Sequence, residues 1–590
     1  MLAAAVNKPE LGTVNIATIV VYMLVVIGMG FWFSRRERTS EDFLLGGRSI
    51  VWWAIGISYL MSLTSTISMV MVPGETFNNG ISAYILFGVV YPFTSVAAFF
   101  LFIRFYYKLK VFTPFAYLER RFDPGVRYLI SILYFWTRLV YLAMVLFSSA
   151  KVFTGAADWN PYWTIPFIAV IGIVYTVLGG MRAVVWTDVM QFIVLFGGLA
   201  MAIVICTSHV DGGFAGVLEY AFEHDRGPVQ YANPEFYQFH PYVRLCFWML
   251  LLQVLIDPIF YNGCDQITVQ RLLSTSTYKQ AMKAAIMNGM LVIPSILMML
   301  FIGMAVYTFY GQNPDPNLGP KEGDKALFNF ISTMMPAPLP GLMLAAMLAA
   351  AMSTLDSGMN SLSAVAVKDF YLKLANPSAT ERQQVRLARI ATVAIGVFAA
   401  VVALCITATS TNLRESVMEA MAVWGALGAI LGPVFLLAVT TRRVNGRLIW
   451  ISTAAAWGVN CGMVTWYIAA KLMAGMDQAI PAGWIAVPAC LTALLLIASA
   501  AAKATRGRVP VGLIAATVFG FAYSCAMTLW FASGRAHGGE LSFMWVTFPG
   551  VIVFLAVGYG SLPFLSEQDE RAHRGLTLFS ANEPVEVEAP

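Results

Sequence analysis

The chain has 590 residues, 59% of them hydrophobic and only 12% charged, with a formal net charge of +5. A soluble domain of this length does not carry so little charge, so composition excludes a water-soluble globular protein and gives a polytopic, all-α membrane protein. About fifteen stretches are apolar enough to span, near 14–34, 50–72, 82–103, 128–150, 161–178, 184–207, 241–268, 284–310, 339–367, 390–409, 415–440, 448–470, 484–502, 511–533 and 542–562.

The first stretch is too long for a signal peptide and lacks a small-residue cleavage site, so it reads as a retained helix. Basic clusters occupy alternate loops: Arg35, Arg36, Arg38 and Arg48 follow span 1, Lys108, Lys110, Arg120 and Arg121 follow span 3, and Arg442, Arg443 and Arg447 follow span 11. Only Arg138 and Arg244 fall within spans. The positive-inside rule then places the N-terminus outside and the C-terminus in the cytoplasm of a plasma or inner membrane.

Span 2 has a polar centre, SLTSTIS from Ser62 to Ser68, followed by Pro73-Gly74, which predicts a broken outer end. After span 3, residues 110–128 read as an amphipathic surface segment. Arg138 lies 11 residues beyond Arg127, about 16 Å at helical rise and close to the bilayer midplane. An arginine there must face a carboxylate, either of a bound solute or of the protein, with Asp257 the internal candidate. Asp188 enters span 6 about 9 Å beyond Arg182, in the inner half. In span 7, Asp257-Pro258 predicts an interruption near mid-depth, with Asn262-Gly263 one turn later. Loops 208–240 and 311–338 read as solvated external lids.

Span 9 carries Ser353, Asp356, Ser357, Asn360 and Ser361 at i, i+3, i+4, i+7 and i+8, one stripe on an alanine-rich helix. Such hard oxygens suit Na+ rather than a transition metal. A stripe that only knits helices together by hydrogen bonds is the alternative. Depth counts bring Asp188 level with the lower end of the stripe, which suits a cation site or a proton relay. Spans 2 and 7 lie five apart and so run oppositely, which predicts an inverted repeat of spans 2–6 and 7–11. The expected organisation is one transmembrane transporter domain over 1–565, with a core at about 50–440, peripheral helices at 14–34 and 448–562, and a disordered cytoplasmic tail at 566–590. The seven cysteines and five histidines have no metal or disulfide spacing. No enzyme motif occurs in the cytoplasmic segments, and the tail is too short for a kinase domain.

The stretches SEDFLLGGRSIVWW, VPGETFNNG, LGGMRAVVWTDVMQ, CDQITVQRLLSTST, LAAAMSTLDSGMNSLSAV and WGALGAILGPVFLL together resemble the sodium:solute symporter family. The resemblance covers roughly residues 14–450 and implies a LeuT-type fold of about fifteen helices. It also implies secondary active transport, with Na+ as coupling ion and no cofactor. It puts one sodium on the hydroxyls of Ser353 and Thr354 and the carbonyls of Ala350, Met61 and Thr64. A second sodium would use Asp188, Asp356 and Ser357, with Asp356 standing where some members have a hydroxyl. Ser65, Thr66 and Ser68 fall where members contact solute; Gln266, near the lower end of broken span 7, and the mid-depth Arg138 and Asp257 are the other candidate solute residues. The VPGE ending is similar to that of monocarboxylate, vitamin and iodide members, and an arginine at position 138 occurs in a branch that takes acidic sugars. The resemblance thus implies import of an organic anion, carboxylate or acidic sugar. A glucose-type sodium/sugar cotransporter or a proton-coupled carrier of the same fold are the alternatives. The implied partners are solute, Na+ and membrane lipid, with no nucleic acid, for a monomer or loose oligomer.

Overall fold

The computed structural model describes residues 12–34, 39–157, 159–238, 245–316, 318–319, 322–409, 428–473, 548–565 and 574–583. Among these residues every regular element is helical. The N-terminal part comprises α1 (Thr13–Ser34), α2 (Ser40–Leu45), α3 (Trp52–Leu63), α4 (Thr66–Asn79), α5 (Ile85–Val89), α6 (Tyr91–Leu109), α7 (Phe115–Arg121) and α8 (Pro124–Ala157). Then come α9 (Pro161–Ser208), α10 (Gly213–Glu223), α11 (Phe247–Gly263), α12 (Gln266–Leu273), α13 (Tyr278–Gln312), α14 (Gly323–Met334), α15 (Leu339–Val365) and α16 (Glu381–Thr409). The described C-terminal helices are α17 (Leu431–Thr440), α18 (Gly446–Met473) and α19 (Phe548–Gly560). Among the described residues, six helices are long and apolar enough to cross a membrane, or up to eight if two bent pairs each count as one span. The expected spans 484–502 and 511–533 lie outside the described residues.

Spans 5 and 6 form one helical run, α9, interrupted at Gly180 with φ 49° and ψ −160°. That conformation favours glycine, which has no Cβ to clash.

Span 2 breaks in its polar middle. Thr64 and Ser65 are extended, with φ/ψ of −94°/100° and −102°/170°, and they separate α3 from α4. Contrary to expectation, Pro73 does not break the outer end. It sits inside α4, over which α13 and α14 pack.

Span 7 is also broken, but not at Asp257-Pro258. Pro258 lies inside α11. A proline cannot donate to the carbonyl four residues back, here Val254. Thr94 Oγ1 of α6 supplies that hydrogen bond at 2.7 Å, so the helix continues. The break falls at Cys264-Asp265, where α11 and α12 meet at 56°. The backbone freed there is satisfied by neighbours: Tyr106 Oη donates to the Gly263 carbonyl, and the Asp265 side chain caps α12 by accepting from Ile267 N at 3.3 Å.

α15 is the hub. It packs against α1, α8, α9 and α16, and 89% of its apolar window is buried. By contrast α1 and α16 are each 28% buried, and residues such as Val21, Leu24, Phe398 and Val401 are exposed on them. Continuous exposed apolar faces of this kind suit lipid contact.

The arginine-rich ends of the helices are tied together. Arg127 of α8 pairs with Asp369, beyond α15, and with Glu119 of α7, and Thr113 Oγ1 donates to Asp369 at 3.0 Å. Arg121 donates from Nη2 to the Thr441 carbonyl at 2.7 Å. Within the tail expected to be disordered, residues 574–583 pack on this same end. There Tyr117 Oη donates to the Leu576 carbonyl at 2.7 Å, and Arg442 donates to the Phe579 carbonyl at 2.9 Å.

Asp369 is fully buried, so removing its partner leaves an uncompensated charge. Arg127→Ala should therefore cost about 3–5 kcal/mol of stability, and Arg127→Ala with Asp369→Asn should recover much of it. Thermal unfolding in detergent reads both; equal stability of the single variant and the parent would contradict the pairing.

Candidate cation and solute sites between the broken helices

The two helix breaks and the α15 stripe meet in the buried centre. Thr66 Oγ1, at the start of α4, donates to the Met347 carbonyl of α15 at 2.9 Å. That tie sets the span 2 break one turn from Ala350, whose carbonyl accepts from Thr354 Oγ1 at 3.1 Å. On the other side of the break, α3 ends at Leu63. Thr64 N is shared between the carbonyls of Leu60 (3.0 Å) and Met61 (3.2 Å). The C-terminal end of a half-helix carries partial negative charge, which favours a cation. Met61, Thr64, Ala350, Ser353 and Thr354 are all buried.

A second cluster centres on Asp188, which is fully buried in α9. Its Oδ1 accepts from Ser353 Oγ at 2.5 Å and its Oδ2 from Ser58 Oγ of α3 at 2.5 Å. Ser357 Oγ donates to the Ser353 carbonyl, and Asp356 Oδ1 accepts from Ser357 N at 2.7 Å. The depth match between Asp188 and the stripe therefore holds as a direct contact. An unexpected member completes the cluster. Arg271, three residues beyond the apolar stretch at 241–268, is buried in α12, with Nη2 3.1 Å from Asp188 Oδ2.

The third cluster surrounds Arg138 of α8. Its Nη2 lies 2.8 Å from Asp265 Oδ2, so the internal partner is Asp265 and not Asp257. Asp257 is half-buried on α11, two turns before the break that carries Asp265. Counting along an unbroken helix could not separate these two acids, because the break and its bend decide which one faces α8. Tyr134 Oη also donates to Asp265 Oδ1 at 2.9 Å. The guanidinium of Arg138 is otherwise ringed by aromatic faces, Tyr141 at 5.1 Å, Phe260 at 5.4 Å and Tyr261 at 6.0 Å, and its buried Nε meets no acceptor.

The expected solute residues divide. Ser65 is buried at the break beside Tyr141, and Ser68 is half-buried one turn into α4. Thr66 is engaged by α15. Gln266 turns away: its Nε2 donates to the Phe112 carbonyl at 3.0 Å, in the turn between α6 and α7.

Comparison with known proteins gives this arrangement a context. The model of the sodium:solute symporter family matches residues 43–450. The chain belongs to this family. It is a Na+-coupled solute symporter and not an enzyme. A sodium/sialic acid symporter of Proteus mirabilis (strain HI4320) is 26% identical over 448 residues, covering 74% of this chain and 86% of that protein. One from Aliivibrio fischeri (strain ATCC 700601 / ES114) is 28% identical over 465 residues, covering 75% and 86%. The human sodium-coupled monocarboxylate transporter 1 is 27% identical over 446 residues, covering 74% and 71%. A solved Na+-coupled sialic acid symporter, in a substrate-bound outward-open state, shares the fold with TM-score 0.71 and 22% identity over 95% of this chain and 100% of that one.

The residues that sequence reasoning missed in this symporter, Asp265 and Arg271, both lie in CDQITVQRLL. A polar run holding an acid and an arginine six positions apart, just after an apolar span, was their available signal. The Arg138–Asp265 pair makes a definite expectation. Arg138→Gln should lower folded yield and cost about 3–5 kcal/mol, because it strands a buried carboxylate. Adding Asp265→Asn should restore yield, whereas adding Asp257→Asn should not; size-exclusion profiles after heating distinguish these outcomes.

Proposed function

We propose that this symporter imports a small organic anion, a monocarboxylate or an acidic sugar, driven by Na+ and by the membrane potential. The observation that carries the anion reading is the pair of under-used donors beside one tyrosine. Ser65 provides no side-chain cap to α4, so the first amides of that helix lack their usual partner and their positive end opens at the break. Tyr141 borders both Ser65 and the guanidinium of Arg138, whose Nε has no acceptor. A carboxylate placed there would complete both sets of donors. Aromatic faces at Tyr141, Phe260 and Tyr261 would hold the apolar part of the solute. The sialic acid and monocarboxylate relatives agree with this chemistry.

We assign the first sodium to the carbonyls of Met61, Thr64 and Ala350 and the hydroxyls of Ser353 and Thr354. The second we assign to Asp188, Asp356 and Ser357. Two sodiums with a monoanion carry net positive charge inward, and each charge moved through 100 mV gains about 2.3 kcal/mol. The basic helix ends around Arg121, Arg127 and Arg442 would then face the cytoplasm, with the N-terminus outside.

Each hydroxyl bonded to a charged group contributes about 1.5–3 kcal/mol. Ser353→Ala with Thr354→Val should therefore raise the sodium concentration for half-maximal uptake at least about tenfold in proteoliposomes, with folded yield retained. An unchanged sodium requirement would remove the first site. In the same preparation, sodium-driven uptake of an uncharged sugar with no response to acids would replace the anion reading with the glucose-type one.

A further inference from the structure

Arg271 is almost fully buried on α12, and its guanidinium reaches Ser58, Asp188 and Ser357 of the cluster where a cation would sit. Nη2 approaches Asp188 Oδ2 at 3.1 Å and also donates to Ser357 Oγ. Nε donates to Ser58 Oγ at 2.8 Å, and Nη1 donates to the Ile267 carbonyl of its own helix at 3.2 Å. Asp188 and Ser357 are two of the groups assigned above to the second sodium. Their oxygens are already engaged: Asp188 Oδ1 by Ser353, Asp188 Oδ2 by Ser58 and Arg271, and Ser357 Oγ by Arg271.

We propose that Arg271 is a tethered counter-cation that alternates with sodium on Asp188. The inference rests on the reading of Asp188 as a sodium ligand. Two unit charges held about 4 Å apart repel strongly even at the effective dielectric of a protein interior. Sodium taking the same carboxylate oxygen therefore pushes the guanidinium away, and sodium leaving lets it return. The carboxylate keeps one positive partner throughout, so the empty carrier never buries an unpaired charge while it reorients. Because Arg271 is anchored to α12, the exchange pulls on the short arm of the broken span 7. Asp265, at the other end of that arm, is held by Arg138, so the arm pivots about a fixed end.

The proposal fixes the direction of a substitution. Removing a competitor strengthens sodium binding, whereas removing a merely structural arginine weakens it or leaves it alone. In purified protein, Arg271→Gln should lower the half-saturating concentration for radioactive sodium binding about tenfold, equivalent to about 1.4 kcal/mol. The variant's thermal stability should be low in potassium buffer and should rise on adding sodium by more than the parent's does. Ser58→Ala loosens the guanidinium while keeping its charge, and it keeps the test decisive if Arg271→Gln yields no folded protein. It should lower the half-saturating sodium concentration about twofold or more. Unchanged or weaker sodium binding in both variants overturns the competition. Asp188→Asn is the control for the underlying site: if it leaves sodium affinity and the number of bound sodiums unaltered, Asp188 is no ligand and the reading beneath the proposal fails by itself.

Discussion

A charge buried in a membrane protein must have a partner, and two such pairs converge on the eight residues of α12. Asp265 caps its N-terminus and holds Arg138 of α8, and Arg271 near its C-terminus holds Asp188 of α9. Each charge sits at the end of the helix that its sign favours, acid at the start and base toward the finish. The arm is thus stitched to two different helices by interactions that are costly to break without replacement. A bundle of apolar side chains alone would have no such switchable points, because lipid and helix interior are almost equally apolar.

Ser353 links the two proposed cation seats. Its hydroxyl donates to Asp188, and it adjoins Thr354, which reaches back to Ala350 in the seat beside the span 2 break. A change at either seat is therefore felt at the other through one side chain. The proposed solute region adjoins the same break through Ser65 and Tyr141, and it borders the same arm through the Arg138–Asp265 pair. On the proposed assignment, sodium and solute would act on common parts, the broken middle of span 2 and the arm α12. Shared parts of this kind are what coupled transport requires, since a ligand shifts a conformational equilibrium only by its differential contact with the two states. The outer faces of the surrounding α1 and α16 are exposed and apolar, which suits lipid contact.

Much of this was legible in the chain. The stripe on α15 declared itself because polar groups at helical spacing stand out in an alanine-rich apolar run, and Asp188 could be matched to its depth by helical rise. The first break falls inside the polar SLTSTIS, whereas Pro73-Gly74 had pointed to the outer end of the span. The second break was misread for a specific reason. Proline is the strongest breaker in a sequence, yet a threonine on a neighbouring helix satisfies the carbonyl that Pro258 leaves open. Nothing in the local sequence announces a donor more than 160 positions away in the chain. Arg271 was missed because a charge after an apolar run is ordinarily the end of a span. Here the chain turns at Cys264-Asp265 and continues as a short helix buried by protein rather than lipid, where periodicity of eight residues carries little signal.

The most direct test of the whole account is hydrogen–deuterium exchange across α12 in solute-free protein, with sodium compared against potassium. If sodium and Arg271 alternate on Asp188, the amides of residues 266–273 exchange faster in sodium, while those of the lipid-facing α16 remain unchanged. Equal exchange of α12 in the two salts, or slower exchange in sodium, would contradict the account, because the arm would then be held as firmly with the ion as without it.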